Sequence, residues 1–462
     1  MNISRRHLIK SVGLASLSCL VPNPTTAKQQ PNIILCMTDD QGWGDTGYNG
    51  HPILKTPNLD AMSREGITFT RWYSGAPVCS PTRGSCLTGR HPYRYGIYFA
   101  NSGHIKSQEF LLAEALKEMG YTTGHFGKWH LGTLTTKIKE SNRGGPRGKE
   151  HYAPPWENGF DACFSTEAKV PTYNPMINPQ NGEPYRTYYW TGPGQRAKEN
   201  LEGDDSRIIM DRAIPFIKNA AQNQTPFFAV IWFHTPHLPV VAGEKHRALY
   251  KNQNEQAQHY YGCISAMDEQ VGRLRTSLKE LGVYDNTMLW FCSDNGPEGK
   301  KKNDHNGSAK HLRGRKRSLY EGGVRVPGLM TYPAMFDKPK TLSIPCSTSD
   351  YLPTILDMLG YQRKGKPEPI DGISLLPILQ ENEKKRPFPI AFESRNQLAL
   401  IDNRYKIYSN DKGKTFELYD IVSDPSESQN LAGNKPDLVK RMKTNLLQWR
   451  QSCERSNRGE DY

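Results

Sequence analysis

Short apolar runs that alternate with helical patterns set the first expectation for this chain. Asn32–Met37 (NIILCM) is apolar almost without a break, the mark of a strand covered on both faces of a parallel sheet. Tyr121–Gly127 (YTTGHFG), Pro226–Phe233 (PFFAVIWF) and Asn286–Cys292 (NTMLWFC) read as further strands. Phe110–Gly120 has helical spacing and a glycine stop. Ser206–Ala221 reads as an amphipathic helix interrupted by Pro215, and Ala266–Gly282 as another helix. This alternation predicts an α/β fold with a large, mixed but mostly parallel sheet. Residues 137–200 break the pattern. They are rich in Gly, Pro, Tyr and Trp with little periodicity, which predicts a long functional loop or lid. From about residue 385 short antiparallel strands and a last helix, Asp437–Cys453, predict a small α+β subdomain. The expected division is 31–384 for the main domain and 385–462 for the subdomain.

The first residues stand apart from the fold. Ser4–Lys10 (SRRHLIK) is a twin-arginine pattern, followed by a weakly apolar run and Thr25-Thr26-Ala27, a small-residue cleavage site. Residues 1–27 therefore read as a Tat-like export signal, which places the protein in the periplasm or outside the cell. An ordinary Sec signal and a lipid anchor on Cys19 are the alternatives. No later run is long and apolar enough to predict a transmembrane segment.

Charge and cysteine usage narrow the partners. The formal net charge of +13 favours a polyanion. An exported protein seldom meets nucleic acid, so an acidic polysaccharide is the expected partner, with a basic surface of no special role as the alternative. The nine cysteines are scattered and form no C-x-x-C pair, which argues against a zinc site or a disulfide framework.

The chemistry gathers where the predicted strands stop, the edge at which open α/β sheets bind ligands. Asp39 and Asp40 follow the first strand and Asp294 and Asn295 the last, an all-oxygen set suited to Ca²⁺ or Mg²⁺. Turn and cap roles are the plainer reading of such residues. Lys128 and His130 follow the second strand, and His234 and His237 the third. Arg83 and Lys316 add cations for an anion beside a metal, and the histidines can move protons near neutral pH. The stretch 76–92 (APVCSPTRGSCLTGRHP) holds Cys79 just before Ser-Pro-Thr-Arg, which leaves a disulfide, a reactive thiol or a modified residue open.

Taken with these residues, the chain resembles the type I, formylglycine-dependent sulfatases of the alkaline phosphatase superfamily over most of residues 31–440. CSPTRGSCLTGR fits the C-x-P-x-R signature, and GYTTGHFGKWHLG fits the family's second signature. TDDQGWGDTGYNG, TPHLP, SDNG, YEGGVRVP and ELYDIVSDPSESQNLA fit its other recurrent stretches. The resemblance implies an alkaline phosphatase-like sheet sandwiched by helices, with the small C-terminal antiparallel sheet. It implies that a formylglycine-generating maturation enzyme reads Cys79, Pro81 and Arg83 and converts Cys79 to 3-oxoalanine (Cα-formylglycine). It further implies Ca²⁺ held by Asp39, Asp40, Asp294, Asn295 and the hydrated residue 79. Arg83, Lys128 and Lys316 would then stabilise the sulfuryl oxygens, His237 would protonate the leaving oxygen, and His130 would accept a proton during sulfate release.

The chain also departs from the family pattern. Arg315 and Arg317 flank Lys316, where many members have small residues. The family's further sulfate-contacting hydroxyl falls in residues 160–175, with Ser165 as its candidate. His234 is either a substrate contact or a structural hydrogen-bonding residue. Arg186, with Tyr173, Tyr188, Tyr189 and Trp190, either meets sugar rings and further sulfates or packs a loop. A sulfated poly- or oligosaccharide is the expected substrate. The rival readings are a phosphate or phosphonate monoester hydrolase of the same superfamily and a non-catalytic binder of sulfated glycans.

Overall fold

The computed structural model describes residues 30–141, 143, 148–299, 306–363 and 368–462. The export-signal and Cys19 readings lie outside the described residues. Residues 31–462 form one unit built on a ten-stranded sheet. Its parallel centre comprises β1 (Asn32–Thr38), β2 (Thr122–Lys128), β3 (Ala162–Thr166), β4 (Phe227–Trp232) and β5 (Thr287–Ser293), in the order β5-β1-β4-β2-β3. Antiparallel strands extend it on both sides, Gly328–Thr331 beside β5 and Trp190–Gly192 beside β3.

The continuous apolar runs follow from burial on both faces. Leu35, Val230 and Trp290 point to one face, where they join Leu112, Leu116 and Ile355. Ile34, Ile231 and Phe291 point to the other, against Ile209, Ile217, Ile264 and Met267. The last four of these sit on α2 (Asp205–Gln222) and α3 (Glu255–Glu280); α1 (Cys79–Thr88) carries the opening motif. Among the described residues no helix is long and apolar enough to cross a membrane.

Three expectations are corrected. Pro215 does not interrupt its helix: α2 runs through it, because Ile209, Met210, Ala213 and Ile217 bury along one face and outweigh one lost backbone hydrogen bond. Helix α3 begins eleven residues before Ala266, at Glu255, capped by the Asn254 side chain. Gly262 hides this first half from periodicity, and a Cβ there would meet that of Ala242 at 2.8 Å. Residues 137–200 are not all loop, since β3 and the short strands Trp190–Gly192 and Gln195–Arg196 complete one side of the main sheet.

The C-terminal region carries the antiparallel sheet expected of it. Strands Ile390–Ser394, Gln397–Asp402, Tyr405–Ser409 and Glu417–Asp420 pair in sequence order. One face meets Met442 and Leu446 of α4 (Pro436–Asn457). The other packs Phe392, Ile401 and Tyr419 on Tyr73, Leu319 and Val324.

Candidate active site

Register delivers the site. Thr38 pairs with Ser293, Met37 with Trp232, and Gly127 with Trp232, so the residues that follow β1, β5, β4 and β2 emerge at one level. Asp39 and Asp294 are fully buried there. The Asp40 backbone N–H donates to Asp294 Oδ1 at 3.1 Å, and Asn295 Nδ2 donates to Asp40 Oδ1 at 2.7 Å. Asp40 has φ +70° and His130 φ +59°. Such left-handed backbone costs a non-glycine residue about 1 kcal/mol or more and recurs at functional sites.

Buried cations interleave with these acids. Lys128 Nζ lies 2.5 Å from Asp39 Oδ2 and Lys316 Nζ 2.6 Å from Asp40 Oδ2. Arg83 donates from Nε and Nη2 to Asp294 Oδ2 at 3.2 and 2.8 Å, and from Nη1 to the Lys128 carbonyl at 2.9 Å. Burial pushes the Asp39 carboxyl up, but Lys128, His237, Arg83 and Lys316 together hold it well below the usual carboxylate range. Burial opposes the charge on Lys316, yet Asp40 and its neighbours raise its pKa. Gly296 and Gly322–Gly323 allow the Lys316 segment this close, because a Cβ on Gly296 would sit 2.0 Å from the Gly322 carbonyl.

Cys79 opens α1, buried beside this cluster, and Pro81 lies in the first turn as a helix start favours. Its thiol is raised by burial. Ligand atoms of Asp39, Cys79 and Asp294 lie within 4.8 Å of one another, as do those of Asp39, Asp40 and His237. Asp39 Oδ1 and Asn295 Oδ1 are buried with no hydrogen-bond partner among the described residues, a costly state for polar oxygen. A hard cation satisfies it, so these residues fit Ca²⁺.

His237 Nδ1 meets the Leu238 carbonyl at 2.7 Å and its Nε2 faces Asp40 Oδ2 at 3.6 Å. His130 Nε2 meets Asn101 Oδ1 at 2.6 Å, and its Nδ1 has no partner among the described residues. Burial, then Lys128 and Arg143, push the His130 imidazole well below its ordinary value. A cavity of about 600 Å³ opens over Cys79, lined by Lys128, His130, His237 and Lys316.

Other expected residues lie elsewhere. His234 is fully buried, with Nδ1 on Asp205 Oδ2 and Nε2 on Thr166 Oγ1, both at 2.8 Å. That is the structural role, and His234 does not line the cavity. Arg186 is exposed beside it, while its neighbours Tyr185 and Thr187 line it. Tyr189 stacks on Phe164 at 4.0 Å in the core and the Arg196 guanidinium covers Tyr188 at 4.1 Å, so these aromatics pack rather than face the site. Ser165 turns its hydroxyl to His125 Nδ1 at 2.7 Å, and within 160–175 it is Ala168 and Lys169 that reach the cavity.

Two residues went unforeseen. Asn101 orients His130. Arg143, buried, donates to the Gly103 and His130 carbonyls at 2.6 and 3.0 Å and to Ser80 Oγ at 3.0 Å, which ties this side chain to the residue after Cys79. Both lie in irregular backbone that no periodic signal marks.

Comparison with known proteins agrees with this geometry. The family model described as Sulfatase matches residues 31–361, and that described as N-sulphoglucosamine sulphohydrolase, C-terminal, matches residues 311–452. N-acetylgalactosamine-6-sulfatase of Sus scrofa is 31% identical over 450 residues, covering 93% of this chain and 80% of that protein. The ulvan-active sulfatase of Formosa agariphila is 29% identical over 465 residues, covering 94% and 83%. The crystal structure of Ps i-CgsB in complex with k-i-k-neocarrahexaose superposes with a TM-score of 0.79 at 27% identity, covering 92% of this chain and 93% of that one. With the family matched over most of its length, the chain belongs to the sulfatase family: it is an enzyme that hydrolyses sulfate esters.

Proposed function

We propose that this sulfatase removes sulfate from a sulfated poly- or oligosaccharide, with Cys79 converted to Cα-formylglycine and Ca²⁺ held by Asp39, Asp40, Asp294 and Asn295. One observation carries the reading. Residue 79 is presented from a buried helix start within ligand distance of Asp39 and Asp294, while Arg83, Lys128 and Lys316 converge on the same point. The carbohydrate assignment draws on the named substrates of the relatives and on the basic chain.

When present, the hydrated aldehyde supplies two geminal hydroxyls, one to attack sulfur and one to release sulfate, and Ca²⁺ polarises the sulfuryl oxygens. The chain's own residues do the rest. Arg83, Lys128 and Lys316 hold the sulfuryl oxygens in a buried setting, where each donor is typically worth about 3–4 kcal/mol at the transition state. His237, anchored by its Nδ1–H to the Leu238 carbonyl, turns Nε2 toward the leaving oxygen and delivers a proton there as the imidazolium, a form that burial opposes, holding the ring down to about 4, and that Asp40 favours. His130 donates its Nε2–H to Asn101 and keeps the Nδ1 lone pair free to take a proton during sulfate release.

Maturation follows from burial. Cys79 is 2% exposed, so a formylglycine-generating enzyme meets the segment Cys79–Arg83 before the chain folds. A twin-arginine route, which carries folded proteins to the periplasm or beyond, suits that order. Residues 31–384 form the catalytic domain in this reading and 385–462 support it. Mass spectrometry of the Cys79 peptide from the native host tests the proposal, with an expected loss of about 18 Da relative to cysteine. An unmodified thiol overturns the mechanism.

A further inference from the structure

The mechanism leaves a second cleft unused. It encloses about 580 Å³ and is lined by His51, Ile53, Lys310, His311 and Arg313, among others, with no carboxylate among its described lining residues. Lys310 Nζ donates to the carbonyls of Asn49 and Gly50 at 2.9 and 2.8 Å. Arg313 donates to the Tyr419 hydroxyl and the Glu427 carbonyl at 2.9 and 3.0 Å, and its guanidinium stacks on Tyr320 at 3.8 Å. All four of these partners are neutral; Glu417, which accepts from the Tyr419 hydroxyl at 2.7 Å, offsets part of the Arg313 charge, and Lys310 keeps the fuller charge for an anion.

The cleft and the catalytic cavity share lining residues with a third. This smaller cavity of about 320 Å³ is lined by Glu255, Gln256, His259 and Tyr260 among others. Leu238 lines both this middle cavity and the catalytic one, and Asn306 lines both the middle cavity and the basic cleft. The Asn306 Nδ2 is buried with no hydrogen-bond partner among the described residues, which leaves a donor at the junction. The Arg-Lys-Arg departure finds a use here. Arg315 lines the basic cleft, while Lys316 and Arg317 line the catalytic cavity, so one segment walls both ends of the path.

We propose that the three cavities form one track for an oligosaccharide, with the basic cleft as a distal subsite for a second anionic substituent of the same chain. That substituent is a sulfate ester or a uronate carboxylate, and the middle cavity meets the intervening sugar hydroxyls. The inference rests on the reading that the substrate is a sulfated carbohydrate.

The test places carboxylates in the cleft without touching Lys310 or Arg313, whose bonds also hold the backbone. Ile53 is 38% exposed and His311 is exposed, so the double variant Ile53→Glu/His311→Glu keeps the fold, checked by an unchanged melting curve. Binding is measured by calorimetry in the Cys79→Ala background with sulfated galactan disaccharides and hexasaccharides that carry no carboxylate, and with uronate hexasaccharides that carry a single terminal sulfate. The expected result is about a tenfold weaker Kd for a hexasaccharide, as the loss of one charge-assisted contact gives, with disaccharide binding unchanged. Whichever hexasaccharide weakens names the anion. Equal weakening at both lengths, or no change with any hexasaccharide, overturns the subsite. Sulfate release by the matured enzyme is followed in parallel. Its absence with every glycan overturns the carbohydrate reading, while the length dependence still decides the cleft.

Discussion

Replacing Asn101 by aspartate isolates the proposed role of His130. The Asn101 Oδ1 lies 2.6 Å from His130 Nε2, so Asn101→Asp puts a formal negative charge where a neutral acceptor now stands. At an effective dielectric constant of about 20, opposite charges about 4 Å apart attract by about 4 kcal/mol, or roughly three pKa units. Burying the new carboxylate takes back part of that, so a rise of about 1–3 units is expected for the imidazole. The parent imidazole is held well below its ordinary value by burial and by Lys128, Arg143 and Arg83. His130 must be neutral to accept a proton, so the acid limb of the kcat profile moves to higher pH by that amount, and the plateau above it changes little. Asn101→Leu gives the contrasting result: no upward shift, and a fall in kcat of about ten- to a hundredfold because the ring loses its orienting acceptor. Two assays decide, the pH–rate profile and the nitrogen NMR titration of His130 in the Cys79→Ala protein. If both coincide for Asn101→Asp and the parent, His130 is not the base described.

Three further outcomes follow from the same geometry. Arg143→Met leaves the Gly103 and His130 carbonyls without their buried donor and should destabilise the fold by about 2–4 kcal/mol in chemical denaturation; Arg143→Lys should recover only part of this, because an ammonium cannot span the same fork. Chelating the cation should abolish sulfate release and lower the melting temperature, and Ca²⁺ restored at a hundred times its Kd should return about 2.7 kcal/mol; melting indifferent to Ca²⁺ would contradict the ligand set. Stability should also fall in mild acid through His91, where burial holds the imidazole down to about 3 from 6.5, with Asp371 favouring the charged ring and Arg94 opposing it. The unfolded chain takes up the proton first, so this contribution is complete above pH 6.5 and is lost as pH falls toward 3. The loss is about 1.4 kcal/mol per unit, or about 2 kcal/mol by pH 5, and His91→Gln should show a shallower pH dependence of melting.

What the sequence revealed depended on periodicity. Strands buried on both faces announce themselves as unbroken apolar runs, and the rule that ligands bind at their carboxyl ends then located Asp39, Lys128, His237 and Asp294 without coordinates. Position 215 misled because local propensity for proline was weighed against nothing, whereas the packed face of α2 opposes it. Residues 137–200 misled differently. The strand Ala162–Thr166 is short, and the polar Ser165 and Thr166 in it are satisfied by His125 and His234, partners that no local pattern reveals. The same blindness hid Asn101 and Arg143. Their backbone is irregular, and their importance comes from contacts 29 and 63 residues away.

The charge balance explains why the legible residues come as a set. When ionised, Asp39, Asp40 and Asp294 bring three negative charges, and Lys128, Lys316 and Arg83 bring three positive ones at 2.5, 2.6 and 2.8 Å; burial, then Asp39, push the Asp294 carboxyl up to about 7, and Arg83 opposes them. These pairs leave the buried cluster formally neutral, which lets it exist in a folded interior. A neutral cluster has no net pull on a sulfate monoester. In the proposed mechanism a divalent cation would raise the total to +2 and a bound ester would lower it to +1, leaving an excess for the charge that grows on the leaving oxygen. The lysines and arginine would then be shared between states. They pair with the carboxylates here, and a cation on the carboxylates would free their N–H groups for the sulfuryl oxygens. One set of buried charges can serve folding and transition-state binding in turn where acids and bases are interleaved, as these six are around Cys79, with Glu298 extending the set at the cavity wall 3.3 Å from Lys316 and paired also with Arg317.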